Sequence, residues 1–164
     1  MPTWTLGAER VASTEINEAM AQYLTERGLR VLGRPVTEAE IREALGADRH
    51  DDLAPPGGEF LVARDHRGGL LGYAGVRLLP GSPTTAELKR MYVRPAGRGA
   101  GPGHGLLRAV EASARKLGAT RIVCETNSEL TEARALYTAH GYEETEPYDG
   151  HGRAEHWYAK PLGC

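Results

Sequence analysis

The chain has 164 residues, of which 40% are hydrophobic and 26% charged, and its formal net charge is −2. That predicts one globular domain over residues 1–164 with a real core, and gives no reason to expect nucleic acid or an anionic membrane as partner. The two cysteines, Cys124 and Cys164, make neither a disulfide framework nor a metal site. No apolar run approaches a membrane span, and MPTWTLGAER lacks the basic and apolar regions of a signal peptide, so a reduced, cytoplasmic protein is expected.

TWTL predicts a short opening strand. A helix is expected from Thr14 to about Arg27, with Ile16, Met20 and Tyr23 on one face and Gly28 closing it. Thr37-Glu38-Ala39-Glu40 is a capping box, which opens a second helix through Leu45. GADRHDDLAPPGG reads as a loop. EFLVARD and LLGYAGVRLL follow as a hairpin joined by DHRGG, and AELKRMYV is the next strand.

In RPAGRGAGPGHGLL, five glycines (Gly97, Gly99, Gly101, Gly103 and Gly105) then occupy every second position. Leu106, Val110, Ala114 and Leu117 mark the face of a third helix that ends at Gly118. RIVCET carries apolar residues on both parities, as a strand buried on both faces does. A fourth helix is expected from Thr131 to His140, closed by Gly141, and YEETE and AEHWYAK complete the chain. The order is β-α-α-β-β-β-α-β-α-β-β. The unit from Ala86 to Thr126 implies one parallel pair in an otherwise antiparallel sheet.

A glycine-rich loop between a strand and a helix is a natural anion site. Its N–H groups point inward without Cβ atoms in the way, and the helix adds about half a positive charge at its N-terminus. The dinucleotide fingerprint G-x-G-x-x-G fits in no register, and no G-K-[ST] exists for a nucleotide P-loop. A flexible linker is disfavoured by the ordered patterns abutting both sides.

Arg98-Gly99-Ala100-Gly101-Pro102-Gly103 resembles the Arg/Gln-x-x-Gly-x-Gly/Ala signature of the GNAT superfamily, the acyl-CoA-dependent N-acetyltransferases. ELKRMYVRP, the following LL, a buried strand ending in ETN, and ARALYTAHGY are similar to that family's usual sequence, from about Glu87 to Tyr142. The resemblance implies an α/β GNAT fold. Its mixed central sheet would have six or seven strands, the parallel strands AELKRMYV and RIVCET splaying apart, with about four helices.

The resemblance also implies acetyl-CoA as cosubstrate and no metal. The backbone of Arg98, Gly99, Ala100, Gly101 and Gly103 would wrap the pyrophosphate, and the Arg98 guanidinium would add a charge-assisted bond. Met91 and Val93 would lie along the pantetheine arm, and Asn127 would bond its amides. Pro102 departs from the family, which has an apolar residue with an N–H there. Proline removes one donor but suits a first helical turn.

Transfer to an amine needs a base for the nucleophile and an acid for the departing thiolate. Glu87 is the candidate base. Alternation places Glu87, Lys89, Met91 and Val93 on one face, unless a bulge shifts the parity. The alternative is a surface carboxylate paired with Lys89 or Arg90. Tyr137, in Ala133-Arg134-Ala135-Leu136-Tyr137, matches the family tyrosine that protonates the sulfur; the alternative is a packed core tyrosine. Asn127 could equally be a turn or cap residue.

His104 is read as an exposed first-turn residue. His50, Asp51 and Asp52 lack ligand spacing for a metal. His151, His156 and Trp157 lie where the family often completes its acceptor pocket. Cys124, mid-strand, is a poor nucleophile, which favours direct attack in a ternary complex over a ping-pong route. The acceptor is read as a primary amine of a small molecule or peptide, and a homodimer is compatible with the sequence. The rival reading is a non-catalytic acyl-CoA-binding sensor or interaction module.

Overall fold

The computed structural model describes residues 3–11, 13–47, 52–148 and 154–163. Its elements in chain order are β1 (Trp4–Ala8), α1 (Thr14–Leu32), α2 (Glu38–Ala47), β2 (Gly58–Asp65), β3 (Leu70–Leu78), β4 (Thr85–Val93), α3 (Pro102–Lys116), β5 (Arg121–Thr126), α4 (Thr131–Ala139), β6 (Glu143–Thr145) and β7 (His156–Pro161). A short 3₁₀ turn, Pro95–Gly97, joins β4 to the glycine loop. The order matches the sequence expectation. Among the described residues no helix is long and apolar enough to cross a membrane.

The strands form one seven-stranded sheet in the order β1-β2-β3-β4-β5-β7-β6. All neighbours are antiparallel except β4 and β5, which run parallel. This is the mixed sheet with four helices that the family resemblance implies. Alternation along the strands makes two apolar layers. One packs Leu61, Ala63, Leu88 and Ile122 against Leu106, Leu107 and Val110 of α3 and Tyr137 of α4. The other packs Phe60, Val62 and Tyr73 against Ile16, Ala19 and Met20 of α1. So α3 and α4 cover one face of the sheet, and α1 covers the other.

Local chemistry explains the helix ends. The Ile16 N–H donates to Ser13 Oγ at 3.1 Å, capping α1. The capping box forms reciprocally: the Thr37 N–H donates to Glu40 Oε1 at 3.0 Å and the Glu40 N–H to Thr37 Oγ1 at 3.1 Å.

The expected stop of α1 at Gly28 is corrected: the helix runs on to Leu32, and Gly33 closes it with φ 71°. A glycine within a helix costs about 1 kcal/mol relative to alanine. Gly28 is there for space, because a Cβ would lie 2.3 Å from Val36 Cγ1 as the chain turns back after α1.

A second correction concerns β4. Tyr73 of β3 faces Tyr92, but Gly75 faces Lys89, so Ala74 alone spans Arg90 and Met91. That bulge puts Arg90 at φ 59°, the left-handed region that a non-glycine residue rarely adopts. It also flips the parity. Met91 and Val93 pack with Ala86 and Leu88 in the α3 layer. Glu87 alternates with Ala86 and Leu88, so it points to the opposite face, and Glu87 and Lys89 do not share a face with Met91 and Val93.

Candidate active site

Strands β4 and β5 pair only from Thr85–Arg121 to Glu87–Val123 and then diverge. The gap opens a cavity of about 400 Å³ that passes between the two helical layers. Leu88, Met91 and Val93 line it from β4, Glu125 and Thr126 from β5, Leu136 and Tyr137 from α4, and Arg98 from the loop. Tyr23, Glu26, Arg27 and Arg30 of α1 line it from the other side.

The five glycines have separate physical reasons. A Cβ on Gly97 would meet the Leu71 carbonyl oxygen at 2.9 Å. Gly99 and Gly101 hold φ of 87° and 85°, the left-handed region that favours glycine, just before α3. A Cβ on Gly103 would stand 3.5–3.8 Å from Val93, Leu136 and Met91, all cavity-lining residues, so it would narrow the cavity mouth. Gly105 faces the indole of Trp4 instead.

Pro102 is buried at the first position of α3, where a missing N–H breaks no helical bond. The N–H groups of Gly103 and His104 have no carbonyl of their own helix to meet. With the positive end of α3 behind them, they form the kind of helix N-terminus that favours an anion. His104 is exposed, and its Nδ1 lies 2.7 Å from His140 Nε2 in a stacked pair.

Tyr137 is 4% exposed and lines the cavity. Its ring packs on Tyr142 and Tyr158, each with centroids 5.7 Å away. Among the described residues its hydroxyl has no hydrogen-bond partner. Burial pushes the phenol well above its ordinary pKa, with Cys124, Tyr23 and Tyr158 adding to the shift, so it stays protonated. The ring is packed in the core, as one sequence alternative has it, and the residue also lines the cavity.

Arg98 is in place but engaged. Its Nη2 donates to Glu26 Oε1 of α1 at 2.5 Å and its Nε to the Val93 carbonyl at 3.2 Å, and the guanidinium lies over the Tyr92 ring. A phosphate ligand would meet a guanidinium already paired with Glu26 through Nη2. Asn127 follows β5, is 2% exposed and does not line the cavity; its Oδ1 accepts from Arg27 Nη2 at 3.0 Å.

Glu87 is 3% exposed and is not part of the cavity wall. Arg77 donates to its Oε1 from Nε at 2.9 Å and Nη2 at 2.7 Å, and the Tyr148 hydroxyl donates to Oε2 at 3.0 Å. Arg77 also pairs with Asp52. The expected partner of a surface Glu87, Lys89 or Arg90, is thus replaced by Arg77, its neighbour across β3 and β4. Burial, and then the Glu87 carboxylate, raise the Tyr148 phenol pKa, so Tyr148 remains a donor to Glu87. Cys124 is 1% exposed, and burial raises its thiol pKa well above the ordinary value, which makes it a poor nucleophile.

The sequence reading missed the α1 contribution. The sequence assigns Glu26 and Arg27 no role, Arg30 lies beyond the expected end of the helix, and Tyr148 stands 61 residues from Glu87 in sequence. His50, Asp51, Asp149 and His151 lie outside the described residues. His156 Nε2 is 2.8 Å from Ser128 Oγ, and Trp157 faces Glu125 across β5 and β7.

A model of the acetyltransferase (GNAT) family matches residues 17–142. The chain belongs to this family. It is 36% identical over 127 residues to an uncharacterised N-acetyltransferase of Schizosaccharomyces pombe, covering 77% of each chain. A GNAT-family acetyltransferase from Staphylococcus aureus Mu50 shares the fold with TM-score 0.74 at 16% identity, over 98% of this chain and 99% of that one. A phosphinothricin acetyltransferase from Sinorhizobium meliloti, solved in complex with acetyl-CoA, superposes with TM-score 0.61 at 23% identity, over 98% of this chain and 89% of that one.

Proposed function

We propose that this GNAT-family chain moves the acetyl group of acetyl-CoA to a primary amine of a small molecule or peptide, the amine attacking directly in a ternary complex. One observation carries the reading: Tyr137, its phenol held protonated and its hydroxyl without a hydrogen-bond partner among the described residues, lines the cavity that opens where β4 and β5 part. The acetyl-CoA complex of the Sinorhizobium neighbour supports the choice of cosubstrate.

In this reading the cofactor enters from the face of α3 and α4. Its pyrophosphate meets the loop from Arg98 to Gly103, and the pantetheine arm runs along Met91 and Val93, with Asn127 near its amides. The acceptor approaches from the α1 face, where Glu87 lies. The amine nitrogen attacks the thioester carbon, the carbon–sulfur bond breaks, and the thiolate takes the phenolic proton of Tyr137. Glu87, outside the cavity wall, takes the proton lost by the amine through a relay of water. The cytoplasm is the compartment that this reading takes.

Release of free CoA across a panel of amines tests the function. The expected result is release that requires both protein and amine. A folded sample that binds acetyl-CoA yet releases no CoA with any amine would favour the sensor reading.

Glu87→Gln is expected to lower kcat/KM most at neutral pH and to recover partly at high pH, where solution deprotonates the amine. A pH–rate profile of both forms checks this. Parallel profiles with a constant offset would make Glu87 a charge that positions the acceptor rather than the base.

A further inference from the structure

We propose that Trp4, on the edge strand β1, is a positioning residue for the pyrophosphate loop; the inference rests on the cofactor reading above. Trp4 lies 96 residues from the loop in sequence, and its indole Nε1 donates to the Ala100 carbonyl oxygen at 2.8 Å. The contact is built from both sides. A Cβ on Gly105 would lie 2.4 Å from the Trp4 ring, so only glycine at this helical position lets the indole lie against α3 and reach the loop. The strand is fixed in turn by its antiparallel register with β2, where Trp4 faces Asp65.

The bond has a directional consequence. The Ala100–Gly101 peptide is planar and trans, so its C=O and N–H point in opposite directions. Holding the Ala100 carbonyl toward β1 turns the Gly101 N–H away from the indole. That N–H belongs to the loop that joins Arg98, which lines the cavity, to the first turn of α3. Gly99 and Gly101, both at positive φ, give the loop freedom to rotate this peptide, and Trp4 removes that freedom before ligand arrives. The bond therefore preorganises one donor of the anion cradle, and it accounts for Gly105, the glycine of the repeat that the cofactor does not need.

Trp4→Phe keeps an aromatic ring on β1 and removes the donor, together with the outer edge of the indole that meets Gly105. Binding of acetyl-CoA, by calorimetry, is expected to weaken about 2- to 12-fold, the span of a single hydrogen bond. The KM for S-acetylpantetheine, which lacks the pyrophosphate, is expected to stay unchanged. Gly105→Ala, which displaces the indole from the opposite side, should weaken acetyl-CoA binding as well, and the two changes combined should be less than additive.

Equal losses for acetyl-CoA and S-acetylpantetheine would overturn the proposal, since a general loosening of the fold acts on both. Unchanged acetyl-CoA affinity in both variants, with wild type binding normally, would overturn it while leaving the cofactor reading intact. Wild type that binds no acetyl-CoA would overturn both.

Discussion

Tyr137→Phe is expected to lower kcat about 10²-fold while changing acetyl-CoA affinity little. The ring is anchored by Tyr142 and Tyr158, and phenylalanine preserves that packing. No described residue hydrogen-bonds the hydroxyl, so its removal leaves no orphaned partner and should cost little stability. On the proposed mechanism, what disappears is the proton for the departing thiolate.

The raised phenol pKa sets the pH signature. An acid titrating at its ordinary value near 10 would shut activity off as the phenolate forms. With the folded value pushed higher, the proton is retained through that range, and any alkaline fall in kcat due to Tyr137 moves above it. Equal rates for mutant and wild type on a true acceptor would return Tyr137 to a purely structural role.

Gly103→Val is expected to weaken acetyl-CoA binding by about 10²-fold, roughly 3 kcal/mol, without lowering the melting temperature of the ligand-free protein. Gly103 is helical, and replacing glycine there raises helix propensity. Its Cβ would meet Val93, Leu136 and Met91 only at ordinary contact distance. Valine's further methyls would crowd these cavity-lining side chains beside the first turn of α3, whose N–H groups are proposed to meet a phosphate. Gly101→Val makes the contrast. A φ of 85° is strained for valine, so that variant should lose both stability and binding. If Gly103→Val melts higher and still binds acetyl-CoA as wild type does, the anion cradle lies elsewhere.

Most of the fold was legible because each element carries its own signal. The capping box before α2, the hairpin turn after Asp65, and Leu106, Val110 and Ala114 on one face of α3 all describe local geometry, and the element order followed from them. Two failures share a cause. Gly28 reads as a stop in any local scan, yet the need for room beside Val36 is tertiary. The bulge at Arg90 has no glycine to announce it, so alternation ran through it and put Glu87 on the wrong side of β4.

The site divides the same way. The loop from Arg98 to Gly103 and Tyr137 were visible because they match a family pattern over contiguous residues. Glu26, Arg27 and Arg30 were not, because a polar stripe on a helix looks the same whether it faces water or the wall of a cavity. Trp4 was invisible as a loop anchor, because its partner lies on the far side of the core in sequence.

Titration calorimetry with acetyl-CoA tests the central claim most directly: that the glycine loop and the N-terminus of α3 hold this cosubstrate at the splay of β4 and β5. The account predicts a stoichiometry near one for wild type, and a loss of binding in Gly103→Val that is matched by no loss of thermal stability. A folded wild-type protein that gives no binding heat and no thermal shift with saturating acetyl-CoA would contradict it.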